Sequence, residues 1–202
     1  MFSKEKMDIN KRKQHILNEY KKSLKQNIMT SRFNNFTYNE NKAYLKKNPH
    51  IGCAYCTPYP ITLDIPQDNI LYILEMNNDI NKIMGIGMII NKNSKYAKSV
   101  YTHGNYNRNI YIGKYRIDRS ELTEQEEVIM KAFDILCFKT NNHMKRGQGI
   151  LQFPVKSLYR IKKQVIDLVP EKLNERIGSL FDNTYPKNLI PIDISKADFT
   201  FT

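Results

Sequence analysis

The chain has no tryptophan and, among 202 residues, only three cysteines, eight glycines and eight prolines. Three cysteines, two of them three residues apart, do not make a disulfide framework and point to a reducing compartment. No run approaches the roughly 18 uncharged apolar residues that span a bilayer. Met1 to Lys13 is charged and lacks an apolar h-region, so it does not read as a secretory signal. Catalytic signatures are missing as well: there is no G-x-S-x-G, no H-E-x-x-H and no D-x-D cluster, and the four histidines are scattered. No internal repeat is found. These absences point away from a membrane protein, a disulfide scaffold and the familiar hydrolases, and make a noncatalytic role the expectation.

What is present is positive charge. The net charge is +12, and it is unevenly placed. Residues 1–47 carry twelve Lys/Arg against four acids (+8), residues 48–120 eight against five (+3), and residues 121–202 twelve against eleven (+1). Such asymmetry favours a polyanionic partner, because each neutralised phosphate releases condensed counterions. A solvated surface in an Asn-, Lys- and Ile-rich composition is the plain alternative. The 41% hydrophobic content is enough for a core.

Periodicity predicts one helix over residues 8–29, with Ile9, Ile16, Leu17, Tyr20, Leu24 and Ile28 as its apolar stripe and lysines opposite. That stripe favours docking on the domain. Residues 30–48 read as an Asn-rich connector with a short helix around Ala43–Lys47. Pro49, Gly52, Pro58, Pro60 and Pro66 mark an extended, turn-rich stretch. Ile70–Met76 and Lys82–Ile90 read as a hairpin about Asn77-Asn78-Asp79, and Asn109–Ile117 as a further strand. Thr123 and Glu126 form a capping-box signature. Ile129, Ala132, Phe133, Leu136 and Cys137 continue it as a helix ending near Thr140. A loop over Asn141–Gly149 leads to a short strand, Ile150–Phe153. Helices are expected over Lys156–Leu168 and from Pro170, and an irregular end over Pro186–Thr202. The expected fold is α+β: a small mixed or barrel-like β core over 49–154, a basic helical arm and connector over 1–48, and a helical extension over 155–202.

Four constellations carry chemistry. His50-x-x-Cys53-x-x-Cys56 has the spacing of a partial zinc site that His103, His143 or Cys137 would complete, but a lone C-x-x-C also suits structural thiols. Thr57-Pro58-Tyr59-Pro60 forbids the helix a redox C-x-x-C wants. No cofactor is expected otherwise. His143-Met144-Lys145-Arg146-Gly147-Gln148-Gly149 sets two cations between flexible backbone points, suited to a phosphate or to a basic helix C-cap. Tyr106, Arg108, Tyr111, Lys114, Tyr115 and Arg116 interleave aromatics for base stacking with cations for phosphates, or are half-buried core tyrosines. In the hairpin, Gly85 and Gly87 leave a bare strip for a base or another backbone. Glu75 with Asp79 reads as turn chemistry before metal binding.

The segments ILYILEMNNDINKIMGIGMIINK, NIYIGKYRIDRSELT and HMKRGQGILQFP resemble uncharacterised proteins of nucleocytoplasmic large DNA viruses, over roughly residues 50–154. That resemblance implies a host-cytoplasm (viral factory) or virion setting and viral protein partners. INKIMGIGMI followed by KYRID is similar to the PUA-like superfamily, which includes EVE and YTH modules that bind RNA or modified bases. Without tryptophan, the cage of YTH readers cannot be built here. The expectation is a nucleic-acid-binding protein, RNA before DNA. Arg108, Lys114, Arg116, Lys145 and Arg146 are expected on phosphates, Tyr106 or Tyr111 on a base, and Gln148 within the same nucleic-acid-binding set. An assembly protein docking acidic partners and an enzyme acting on nucleic acid are the alternatives.

Overall fold

A computed structural model describes residues 2–23, 27–61, 65–94, 99–141, 143–154 and 156. The expected helices beyond Lys156 and the irregular end lie outside these residues. Among the described residues, no helix is long and apolar enough to cross a membrane.

The expected helix over 8–29 is two elements. Helix α1 spans Phe2–Ser23, and strand β1 spans Asn27–Phe33. Residues 7–15 of α1 are all exposed, Met7 and Ile9 among them, so the apolar stripe there is not docked. In β1, Met29 and Phe33 enter one core while Ile28 packs against the other. Strand β1 reads Asn-Ile-Met-Thr-Ser-Arg-Phe and buries the polar Thr30 and Ser31 beside Met29 and Phe33, so it shows neither an apolar run nor the alternation that would separate it from the end of a helix. The connector is likewise mostly helix. Helix α2, Asn35–Lys47, starts at Asn34, which forms a reciprocal capping box with Thr37.

Strands β2 (Cys53–Thr57), β3 (Ile70–Asn77) and β4 (Lys82–Ile90) follow. The β3–β4 hairpin turns where expected, with Asn81 at positive φ and a bulge at Glu75. The single strand expected over Asn109–Ile117 breaks at Lys114 into β5 (Asn109–Gly113) and β6 (Tyr115–Asp118). Strand β5 pairs with β2, and β6 pairs with β4, so the chain changes sheets there. Helix α3, Glu124–Asp134, bears the expected Thr123/Glu126 capping box and runs into a π-turn over Ile135–Lys139. Strand β7 is Leu151–Gln152.

The result is α+β, with a mixed five-stranded sheet in the order β6-β4-β3-β1-β7 and a separate β2–β5 pair. The barrel alternative is not formed. Among the described residues, β6 and the two-residue β7 are the unpaired edges of the main sheet, and the β2–β5 pair forms its own ladder instead of closing them. One core joins Leu71, Ile73 and Ile89 of the sheet to Cys53, Tyr55 and Tyr111 of the β2–β5 pair. The other joins Leu74, Ile83 and Ile86 to Met130, Phe133 and Cys137. Strands β1 and β3 are parallel, so Phe33 lies opposite Asn77 and both chains leave the sheet at the same end.

Candidate nucleic-acid interface

Burial and ion pairing sort the expected site residues into three places. Arg116 and Tyr111 are interior. Arg116 reaches the buried Glu75 carboxylate through Nε (2.9 Å to Oε1) and Nη2 (2.7 Å to Oε2). It also donates to Asp118 Oδ2 (2.9 Å) and to the Tyr38 hydroxyl (3.2 Å). Tyr55 donates to the same Glu75 at 2.7 Å. Burial alone would lower the Arg116 pKa, but Glu75 and then Asp118 more than reverse this and hold it raised. The guanidinium is therefore engaged by acids within the fold and is not free for a phosphate. Tyr111 is 3% exposed, and its hydroxyl accepts from the Ile61 N–H (3.1 Å), so its ring offers no face to a base.

The same network fills the glycine strip. A methyl at Gly87 would run into the Tyr55 hydroxyl, and one at Gly85 would stand 2.6 Å from the Ile117 carbonyl oxygen and 2.8 Å from Arg116 Nη2. The strip is bare so that the protein's own Tyr55 and Arg116 can cross the sheet. Glu75 is spent on this network, while Asp79 Oδ2 accepts from the Asn35 N–H (2.8 Å), which ties the start of α2 to the hairpin turn.

The expected zinc set does not assemble. Positions 53 and 56 of one strand point to opposite faces. Cys53 Sγ lies 3.4 Å from Tyr115 O, toward the main sheet, while Cys56 acts electrostatically on Tyr44 of α2 and on Tyr101. His50 is exposed. No three His, Cys, Asp or Glu side chains group for a metal among the described residues. All three cysteines are free and buried, and burial pushes each thiol from 9.0 up to about 12. Above pH 9 the unfolded chain loses thiol protons that the native state keeps, so stability falls as pH rises toward 12. Denaturant titrations at pH 8 and pH 10 are expected to differ by about 1 kcal/mol per thiol. No difference would mean the thiols are not sealed in the core.

Lys114 is exposed at one end of β5, beside Gly52 and 5.6 Å above the Tyr115 ring centroid. Two of the remaining expected residues, Arg108 and Gln148, lie at the other end, beside Thr57. Asn109 pairs with Thr57 across the β2–β5 ladder and donates to its carbonyl (3.2 Å), which places the exposed Arg108 there. Gly149 at φ +76 packs on the Thr57 side chain, which places Gln148 there. Thr57 Oγ1 donates to Tyr59 O (2.8 Å), and Tyr59 is 64% exposed. Tyr106 is half-buried against Tyr101 and His103.

The loop from His143 to Gly149 crosses the carboxyl end of the parallel β1–β3 pair. Its Met144 carbonyl accepts from Arg32 Nε (2.5 Å), its Lys145 carbonyl accepts from Asn78 Nδ2 (3.2 Å), and Gly147 lies over the Arg32 guanidinium. Ligands of open α/β sheets commonly sit at the carboxyl ends of parallel strands.

Charge neutralisation separates the two sets of cations. The ion pairs among the described residues are Lys92–Asp68, Arg116 with Glu75 and Asp118, and Arg119 with Glu127 and Asp134. Among the described residues, Arg32, Arg108, Lys145 and Arg146 pair with no acid. Burial lowers the Arg32 pKa, with the nearby Cys137 acting in the other direction.

Sequence reasoning missed Arg32, Phe36 and Tyr59. Arg32 was hidden in a stretch read as connector. Phe36 is 64% exposed on the first turn of α2, four residues beyond Arg32. The Asn34-x-x-Thr37 pair was the readable signal for that turn, since Asn is a preferred N-cap. Tyr59 was read only as part of a proline-rich turn.

No protein-family model matches the chain, and neither a curated protein nor a solved structure matches it.

Proposed function

We propose that the protein binds single-stranded nucleic acid, without catalysis, on the end of the sheet that carries the 143–149 loop. The observation that carries this reading is the corner at Thr57. Three segments distant in sequence bring an exposed aromatic, Tyr59, an acid-free cation, Arg108, and the cationic loop ending in Gln148 and Gly149 to one residue. Interleaved aromatic platforms and unpaired cations are what a flexible strand with unstacked bases requires. Lys145, Arg146 and Arg108 hold phosphates, and Phe36 and Tyr59 stack on bases. The sequence resemblance to PUA-like modules adds RNA before DNA as the polymer, although the open sheet lacks a barrel for a PUA-like groove.

Fluorescence anisotropy with a labelled single-stranded RNA tests this. Phe36→Ala and Tyr59→Ala are each expected to weaken binding about tenfold, the size of a lost base–aromatic stack of roughly 1–3 kcal/mol. Wild-type affinity equal to that of the double variant would remove this face from the interface.

A further inference from the structure

Arg32 joins a buried, unpartnered donor to a charge that pairs with no carboxylate among the described residues. Its Nε reaches Met144 O, but its Nη1 is buried with no acceptor, and no carboxylate pairs with it. Two more polar atoms at the same loop are in the same condition: His143 Nδ1 and Asn78 Oδ1 are buried without partners, and Asn78 Nδ2 is held by Lys145 O. Leaving a buried donor or acceptor unmade carries the full desolvation cost of that group, and more for a charged one. A water molecule would satisfy one N–H but leave the half-buried guanidinium without a counter-charge, and an anion supplies both.

The chemistry of the three atoms narrows the anion. Arg32 donates, Asn78 Oδ1 accepts, and His143 does either according to tautomer. A carboxylate offers only acceptors. A phosphodiester within a chain has two free oxygens and no O–H. A phosphate monoester has three unsubstituted oxygens and, with its second pKa near 6, a singly protonated form whose O–H suits Asn78. The covering loop has glycines at φ +133 and φ +76, backbone that can approach an anion closely. Atoms closed from solvent beneath such a loop are reached by a group at the end of a chain and not by one in its middle. We infer that Arg32, His143 and Asn78, under the Gly147–Gly149 loop, form a seat for a terminal phosphate monoester. This rests on the nucleic-acid reading above and names the part of the strand the protein grips.

The test compares one single-stranded RNA sequence carrying a 5′-phosphate, a 3′-phosphate or two hydroxyl ends, on the full chain by anisotropy. One phosphorylated end is expected to bind about tenfold tighter than the hydroxyl form, as for one charge-assisted pair. Arg32→Gln is expected to bring all three to the hydroxyl affinity. Equal wild-type affinities for the three RNAs would overturn the seat and leave the proposed function standing. Failure to bind any of them would overturn the function itself. Should Arg32→Gln not fold, inorganic phosphate against the wild-type chain decides. Millimolar phosphate, at ionic strength matched with chloride, is expected to raise Tm and to erase the advantage of the phosphorylated end. Neither effect means there is no seat.

Discussion

Arg116→Met is expected to lower unfolding stability by about 3–5 kcal/mol, the usual result of stranding one buried charge by removing its partner. The Glu75 side chain is 3% exposed and that of Arg116 16%, so little water reaches the carboxylate once the guanidinium is gone. The Tyr55 hydroxyl remains as a donor to Glu75, and with Arg116 absent that single bond must hold a buried negative charge. Adding Glu75→Gln to the same chain removes the charge and is expected to return much of the loss, as a neutral side chain there still accepts from Tyr55. Denaturant titrations of the two single variants and the double variant give the coupling directly. A loss below about 1 kcal/mol for Arg116→Met would show that the network is not a stabilising element. Loss of RNA affinity in a stably folded Arg116→Met chain would instead return this residue to the interface.

The second large effect is on binding. Replacing Arg108, Lys145 and Arg146 together by alanine removes three cations that no acid neutralises among the described residues. For single strands the slope of log K against log salt changes by about 0.7 per phosphate contact, so it is expected to fall by about 2. Affinity at 0.1 M salt then drops on the order of a hundredfold, while high salt brings wild type and variant together. Arg108 and Arg146 are exposed and Lys145 is half-buried, so stability is expected to change little. The contrasting variant is Lys114→Ala, at the far end of β5, which should leave the slope unchanged. Equal slopes in wild type and triple variant would place the polyanion elsewhere, with the exposed Lys11, Arg12 and Lys13 of α1 as the next surface to test.

These two outcomes differ because two arginines in similar local sequence have opposite fates. Arg108 and Arg116 both sit among tyrosines, and the text around each reads equally well as a base-stacking, phosphate-holding strand. The break at Lys114 turns Arg116 into the main sheet above Gly85, where Glu75 waits. Arg108 ends the 3-10 turn Gly104–Arg108 just before β5, where it is exposed and donates to Asn105 Oδ1 (3.1 Å). The CxxC spacing misleads in the same way. It is a ligand spacing on a turn, but on β2 it separates the two thiols by the thickness of a strand.

The amino-acid sequence alone determined those features whose cause is local. The β3–β4 hairpin follows from apolar runs about an Asn-rich turn, helix α3 from its capping box and stripe, and the glycine-flanked loop from its own residues. Tertiary structure decided which charges are spent. Whether an arginine meets a carboxylate depends on strands far apart in the chain, and its neutralisation decides whether it faces a ligand or the core. Strand β1 shows the same division. Its placement between β3 and β7 buries both faces, erases the alternation that marks a strand, and brings Arg32 beneath a loop more than a hundred residues away, because long-range pairing, and not local spacing, sets its surroundings.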